Sequence, residues 1–144
     1  LILGSGSQLG GLESLGRDLG VASGVCFVSA VPNHEVPDVL FSIDLFVVPS
    51  RSESFGVAEV EALSIGVPTV VSNVGGLPEV VAEGGAGKLF KSEDVESLAS
   101  ALLELINSYE LRLAYSNAGK EWVHNNFDLE SNLKQFERLH NECN

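Results

Sequence analysis

Apolar positions along the chain follow two alternating rhythms, short unbroken runs and longer stretches at three-and-four spacing. Leu1-Ile2-Leu3 reads as the end of a buried strand that runs into the glycine-rich turn Gly4-Ser5-Gly6-Ser7. Leu9, Leu12, Leu15 and Leu19 then recur once per helical turn, and Gly20 stands where the helix they imply should stop. Val25-Cys26-Phe27-Val28 and Leu45-Phe46-Val47-Val48 are continuous apolar runs, the pattern of strands buried on both faces. Between them, Pro37 suits the first turn of a helix carrying Val39, Leu40, Phe41 and Ile43. Val57, Val60, Ala62, Leu63 and Ile65 describe a further helix that Gly66 ends, and Thr69-Val70-Val71 and Lys88-Leu89-Phe90 two more strands. Over residues 79–82 a single helical turn is the most the pattern supports.

From Ser92 the rhythm becomes purely helical. Ser92 is placed to cap a helix with Glu93 and Asp94 near its positive end, and Val95, Leu98, Ala99, Leu102, Leu105 and Ile106 form its apolar stripe. Residues 111–127 predict a second helix with Leu111, Ala114, Ala118, Trp122 and Val123 inward, and Asp128 can cap a third with Leu129, Leu133, Phe136 and Leu139. Strands alternating with helices over this length predict an α/β fold, a doubly wound parallel sheet with helices on both faces, ending in two or three helices. No repeat or linker divides residues 1–144, so one domain is expected.

Composition narrows the partners. The 144 residues carry 8 Lys plus Arg against 20 Asp plus Glu, a net charge of −12, which argues against a binder of nucleic-acid backbones or of an anionic bilayer. A hydrophobic fraction of 44% is enough for a packed core without disulfides. Cys26, inside an apolar run, is expected to be a buried thiol, and Cys143 stands far from it. With no C-x-x-C and no metal-type spacing among His34, His124 and His140, no structural metal is expected. No apolar run approaches the roughly 20 residues that span a bilayer, and a soluble chain is expected. The absence of any methionine, including at position 1, suggests an excerpt of a longer polypeptide.

Doubly wound sheets bind ligands beyond the carboxyl ends of their strands, where helix amino ends converge. Three segments qualify: residues 4–10, 49–56 and 73–78. The first, Gly4-x-Gly6-x-x-x-Gly10, approaches a dinucleotide fingerprint, but the next strand runs into Ser29-Ala30 where a ribose-binding acid would stand. A plain tight turn explains it better than nicotinamide nucleotide binding. The second, Pro49-Ser50-Arg51-Ser52-Glu53-Ser54-Phe55-Gly56, leads into Val57-Ala58-Glu59-Val60-Glu61-Ala62. With helix geometry throughout, a rise of about 1.5 Å per residue would set Glu53 and Glu61 roughly 12 Å apart, too far to share a proton or a metal. They also exceed the roughly 5–9.5 Å of a glycosidase pair. Two separated carboxylates suit the hydroxyl-rich ends of one elongated ligand, with a phosphate held between them at the helix amino end near Gly56, Val57 and Ala58. A sugar, a diphosphate and a ribose in series would fit. The plainer alternative is that Glu53 caps the helix and Glu61 is a solvated surface charge. The third segment, Gly75-Gly76-Leu77-Pro78-Glu79, offers close backbone approach and an acid at a helix start, or simply a turn.

Taken together, Pro49-Ser50-Arg51-Ser52-Glu53-Ser54-Phe55-Gly56 with Glu61-Ala62, Gly66-Val67-Pro68-Thr69-Val70, Gly75-Gly76-Leu77-Pro78-Glu79-Val80 and Gly87-Lys88-Leu89-Phe90 resemble the C-terminal half of GT-B glycosyltransferases of family 4, the group 1 glycosyltransferases. The resemblance covers nearly the whole chain. It implies a Rossmann-like donor domain of a retaining, metal-independent enzyme that moves a sugar from a UDP- or GDP-sugar to an acceptor, in polysaccharide or glycoconjugate synthesis and in the cytoplasm, with peripheral membrane contact through its other half left open. Glu53 of the E-x7-E motif would bind the donor sugar's hydroxyls, with Ser54, Phe55 and Gly56 beside the same sugar. Val57 and Ala58 would meet the diphosphate, Glu61 the ribose diol, and the segment from Ser29 to Val31 the base. Arg51 would orient Glu53. The resemblance further implies a preceding strand and helix with a Gly-Arg and Lys-containing diphosphate motif, and an N-terminal domain that binds the acceptor. Both are expected outside these residues, so no catalytic acid, base or nucleophile is assigned and the 144 residues alone are expected to be inactive. A non-catalytic scaffold or regulatory module with the same nucleotide-sugar pocket is the alternative.

Overall fold

A computed structural model describes residues 1–127, with the backbone alone at 82 and 83, together with Leu133, Glu137, Arg138 and His140. The chain forms two compact units, Leu1–Val36 and Pro37–Asn144. Strands are parallel throughout and flanked by helices, as the alternating rhythm predicts, and they divide into a sheet of two and a sheet of three.

In the first unit β1 (Ile2–Leu3) pairs with β2 (Phe27–Val28), joined by α1 (Leu9–Asp18). The expected burial of this unit is not found. Ile2 and Leu3 are exposed, as are Leu12, Leu15 and Leu19 of the α1 segment, and the Cys26 thiol is exposed and free. The helical spacing of the leucines holds. Two strands of two residues each, however, offer a helix little surface to pack on, so periodicity places the residues on one face without burying them. Cys143 lies outside the described residues.

The helix expected at Pro37 is α2 (Val36–Phe41), with Leu40 buried. The second unit is built on β4 (Thr69–Ser72), flanked in register by β3 (Phe46–Val48) and β5 (Gly87–Phe90). All four residues of β4 are buried, which explains why it reads as unbroken Thr-Val-Val rather than as an alternation. Successive side chains of a strand point to opposite faces. Val70 accordingly packs with Phe90, Ala101 and Leu105, while Val71 packs with Leu77 and Val81. Each valine so buried stabilises the unit by about 1.5–3 kcal/mol.

One face is covered by α5 (Val95–Asn107) and the other by α4 (Leu77–Gly84). The length of α4 corrects the single turn expected there. Pro78 sits in its first turn, where a missing N–H costs nothing, and Val80 and Val81 are buried, so tertiary packing extends a weak local signal. The cap of α5 is Asp94, whose side chain accepts from the Ser97 amide at 2.9 Å, not Ser92. Its inward residues are Leu98, Ala101, Leu102 and Leu105, whereas Val95, Ala99 and Ile106, expected on the stripe, are exposed. At about 100° of rotation per residue, Ala101 and Leu105 share the centre of the buried stripe with Leu98, and those three fall beyond its rim.

Following β3, α3 (Val57–Ile65) ends at Gly66, and α6 (Tyr109–Phe127) crosses it. The helices approach closely at Gly119, where a β-carbon would lie 2.9 Å from Leu63 Cδ2. Leu111, Ala118, Trp122 and Val123 of α6 are half-buried as expected, while Ala114 is exposed. Of the third terminal helix, Leu133 is helical and exposed, and Asp128, Leu129, Phe136 and Leu139 lie outside the described residues.

Candidate functional site

Three loops leave the carboxyl ends of β3, β4 and β5, and their polar residues tie them together. The Ser50 carbonyl accepts from the Ser72 hydroxyl at 2.7 Å and from the Ser92 hydroxyl at 3.4 Å. Asn73 accepts from the Ser92 amide through Oδ1 at 2.9 Å, and its own amide donates to the Phe90 carbonyl at 2.9 Å. Small hydroxyl and amide side chains suit this work because each reaches a neighbouring backbone group without filling the space between strands.

The first two of these loops press backbone against backbone. A β-carbon on Gly75, which has φ +55°, would fall 1.6 Å from the Glu53 carbonyl oxygen, and one on Gly76 would fall 2.7 Å from that of Ser54. The Gly75-Gly76 pair is therefore the floor on which residues 53–55 rest. This joins two segments that sequence reading treats separately.

Glu53 is half-buried, and its carboxylate accepts from the Ser54 amide at 3.0 Å. It does not cap α3. The residue at the amino end of that helix is Gly56, left-handed at φ 92°, and no side chain caps it. Arg51 does not orient Glu53 either: its Nε pairs with Glu93 Oε1 at 2.9 Å, both side chains largely exposed. Glu93 reaches it from a backbone with φ 62°, a conformation rare outside glycine, that turns the chain between β5 and α5.

Ser54, Phe55, Val57, Ala58 and Glu61 are exposed and Gly56 is buried. Residues three and four apart share a helix face, so Glu61 stands one turn above Val57 and Ala58 on the same outward face. Phe55 is anchored sideways: its ring meets that of Phe127 edge-on at 5.6 Å, and Phe127 in turn lies 5.2 Å from Trp122. Ser29, exposed, and Val31, half-buried, follow β2 in the first unit.

Sequence reading missed Glu59. It is fully buried, and neither carboxylate oxygen has a hydrogen-bond partner. Burial, and after it the charge of Glu53, push its carboxyl from the usual 4.5 up to about 8. A signal was present. Glu59 precedes the buried Ala62 and Leu63 by three and four residues, which puts it on the inward face of α3, opposite Glu61.

The sequence model of the family described as glycosyl transferases group 1 matches residues 1–122, and the chain belongs to that family. It is 32% identical over 133 residues to the GDP-mannose-dependent alpha-(1-6)-phosphatidylinositol monomannoside mannosyltransferase of Mycolicibacterium smegmatis, covering 88% of this chain and 35% of the relative. It is 40% identical over 107 residues to the D-inositol 3-phosphate glycosyltransferase of Mycobacterium marinum, covering 72% of this chain and 23% of that protein. The chain thus spans about a third or less of these relatives. Among solved structures, sucrose-phosphate synthase from Thermosynechococcus elongatus superposes with a TM-score of 0.86 at 26% identity, over 98% of this chain and 38% of that one. Anabaena HepE in complex with UDP superposes at 0.88 and 22% identity, over 97% and 40%. These neighbours are GT-B glycosyltransferases, and this chain has their mixed α/β architecture of parallel sheets flanked by helices. Among the described residues, no helix is long and apolar enough to cross a membrane.

Proposed function

We propose that the chain is the donor-binding part of a retaining glycosyltransferase, which holds a UDP- or GDP-sugar and passes the sugar to an acceptor bound elsewhere in the complete polypeptide. The observation that carries this reading is the uncapped amino end of α3, with Glu53 just before it and Glu61 one turn up the outward face. Free amides at a helix start attract phosphate, and the left-handed Gly56 lets a ligand approach the backbone. The relatives agree in kind: one is named for GDP-mannose, and HepE is solved with UDP and with UDP-glucose.

In this reading Glu53 accepts hydrogen bonds from the sugar's hydroxyls, with Ser54 and the amides of Phe55 and Gly56 alongside. Val57 and Ala58 offer amides to the diphosphate, and Glu61 accepts from the ribose diol. The reaction breaks the bond between the anomeric carbon and the phosphate oxygen, which leaves with the electron pair. The acceptor hydroxyl forms the new bond on the same face, and its proton passes to the departing phosphate. No metal takes part. The chain's own contribution is to position the donor and to stabilise charge on the leaving diphosphate. A cytoplasmic setting fits the supply of such donors.

Two substitutions in the complete polypeptide test the layout. Glu61→Ala should weaken UDP or GDP binding about tenfold by calorimetric titration, since a charged acceptor is lost from a diol. Unchanged affinity would remove Glu61 from the ribose. Glu53→Ala should lower kcat by roughly ten- to thirtyfold while nucleoside diphosphate affinity stays within about twofold. Equal losses in both would contradict its place on the sugar. Donor binding without transfer or hydrolysis by the unaltered protein would favour a non-catalytic module.

A further inference from the structure

Glu59 has no task in the scheme above, yet its position is unusual. Among the described side chains it is the only fully buried acid or base, and both its oxygens lack a partner. It enters from the first turn of α3 and lodges under the preceding loop: Oε2 lies 3.0 Å from where a β-carbon on Gly56 would sit, a point also 2.6 Å from Leu77 Cδ2.

The described surroundings offer no countercharge. The charged group that acts on it is Glu53. Strands β3 and β4 carry no titratable side chain, and α4 turns Leu77 inward while Glu79 stays exposed. Of α6, Lys120 lies against Gly66 at the opposite end of α3, and Glu121 and His124 are exposed. A carboxyl buried among apolar groups beside another acid holds its proton.

We propose that Glu59 is a positioning residue of the donor site and that it works as the neutral acid: its proton leaves Glu53 the only negative charge at the start of α3, so that an anionic diphosphate is accepted there. The inference rests on the donor reading of that helix start. When Glu59 ionises, a second carboxylate stands beneath Gly56, and the loop loses affinity for anions while Glu53 is pushed away from its resting place. By linkage, a bound diphosphate strengthens the hold of Glu59 on its proton.

The test is calorimetric titration of UDP and of GDP into the complete polypeptide between about pH 7 and 9, for the unaltered protein and for Glu59→Gln. The unaltered protein should lose about tenfold in affinity over that range and the variant less than about twofold, because an amide does not ionise. Parallel profiles would overturn the proposal. A second measurement needs no variant: the carboxyl 13C resonance of Glu59 should titrate above about pH 7 in the free protein and at higher pH with UDP bound. Titration below about pH 6 in both states would equally overturn it. Failure of both nucleotides to bind at neutral pH would remove the donor reading itself, whereas firm binding of one with identical pH profiles removes only the role of Glu59.

Discussion

Gly75→Ala in the complete polypeptide is expected to lower kcat/KM by about a hundredfold or more, since a misplacement of about 1 Å at a positioned substrate costs on that order. The added methyl would lie 1.6 Å from the Glu53 carbonyl oxygen, well inside any tolerable contact, so either the Gly75 turn or the Glu53 segment must move. Left-handed φ adds about 1–2 kcal/mol for a residue with a β-carbon. Gly85 separates the two effects. It has the same φ of +55°, at the carboxyl end of α4, with nothing within 4 Å of the point a β-carbon would occupy. Gly85→Ala therefore suffers the backbone penalty without the collision and should keep most of its activity at matched, correctly folded protein concentration. Equal activity losses in the two variants would show that backbone strain, not contact with Glu53, governs the site.

Glu59→Leu is expected to raise stability, and the gain should grow with pH. The folded carboxyl titrates at about 8 and the unfolded one near 4.5, so between those values the folded state keeps a proton that the unfolded state releases. Stability of the unaltered protein therefore falls as pH rises through this window, and the penalty is complete above about 8. Below pH 4.5 both states hold the proton and the penalty is absent. Allowing for solvent relaxation around the group, leucine should add about 2–4 kcal/mol at about pH 8.5 beyond its effect at about pH 4.5. Denaturant midpoints of both proteins at the two pH values measure this. A difference that does not change with pH would mean that Glu59 is ionised in the folded state or finds a partner there. A stability gain joined to weakened pH control of binding is the trade-off expected where a destabilising group serves a site.

The elements of the second unit are largely legible in the sequence because their signals are local and agree. Val57 to Gly66 shows helical spacing and a glycine stop, and β4 shows an unbroken apolar run. What stays hidden is decided by partners distant along the chain. Leucines at helical spacing in α1 predict a buried face, but burial depends on what stands opposite, which periodicity does not encode. The length of α4 comes from packing of Val80 and Val81. In the site, the motif from Glu53 to Glu61 is visible as spacing, while the meeting of Glu53 with Gly75 and of Phe55 with Phe127 joins segments 22 and 72 residues apart by number, which no local pattern reports. Glu59 is readable from its distance to Ala62 and Leu63, yet a glutamate beside Glu61 looks like a second surface charge.

The carbonyl of Ser50, which receives hydroxyls from both Ser72 and Ser92, limits how this scaffold can be rebuilt. A chimera that imports the segment after β3 from another member of the family keeps both attachments only if it sets the main-chain carbonyl of position 50 in the same place. The side chains that must stay with that carbonyl are the hydroxyls of Ser72 and Ser92, so the ends of β4 and β5 and the backbone at 50 form one unit of exchange.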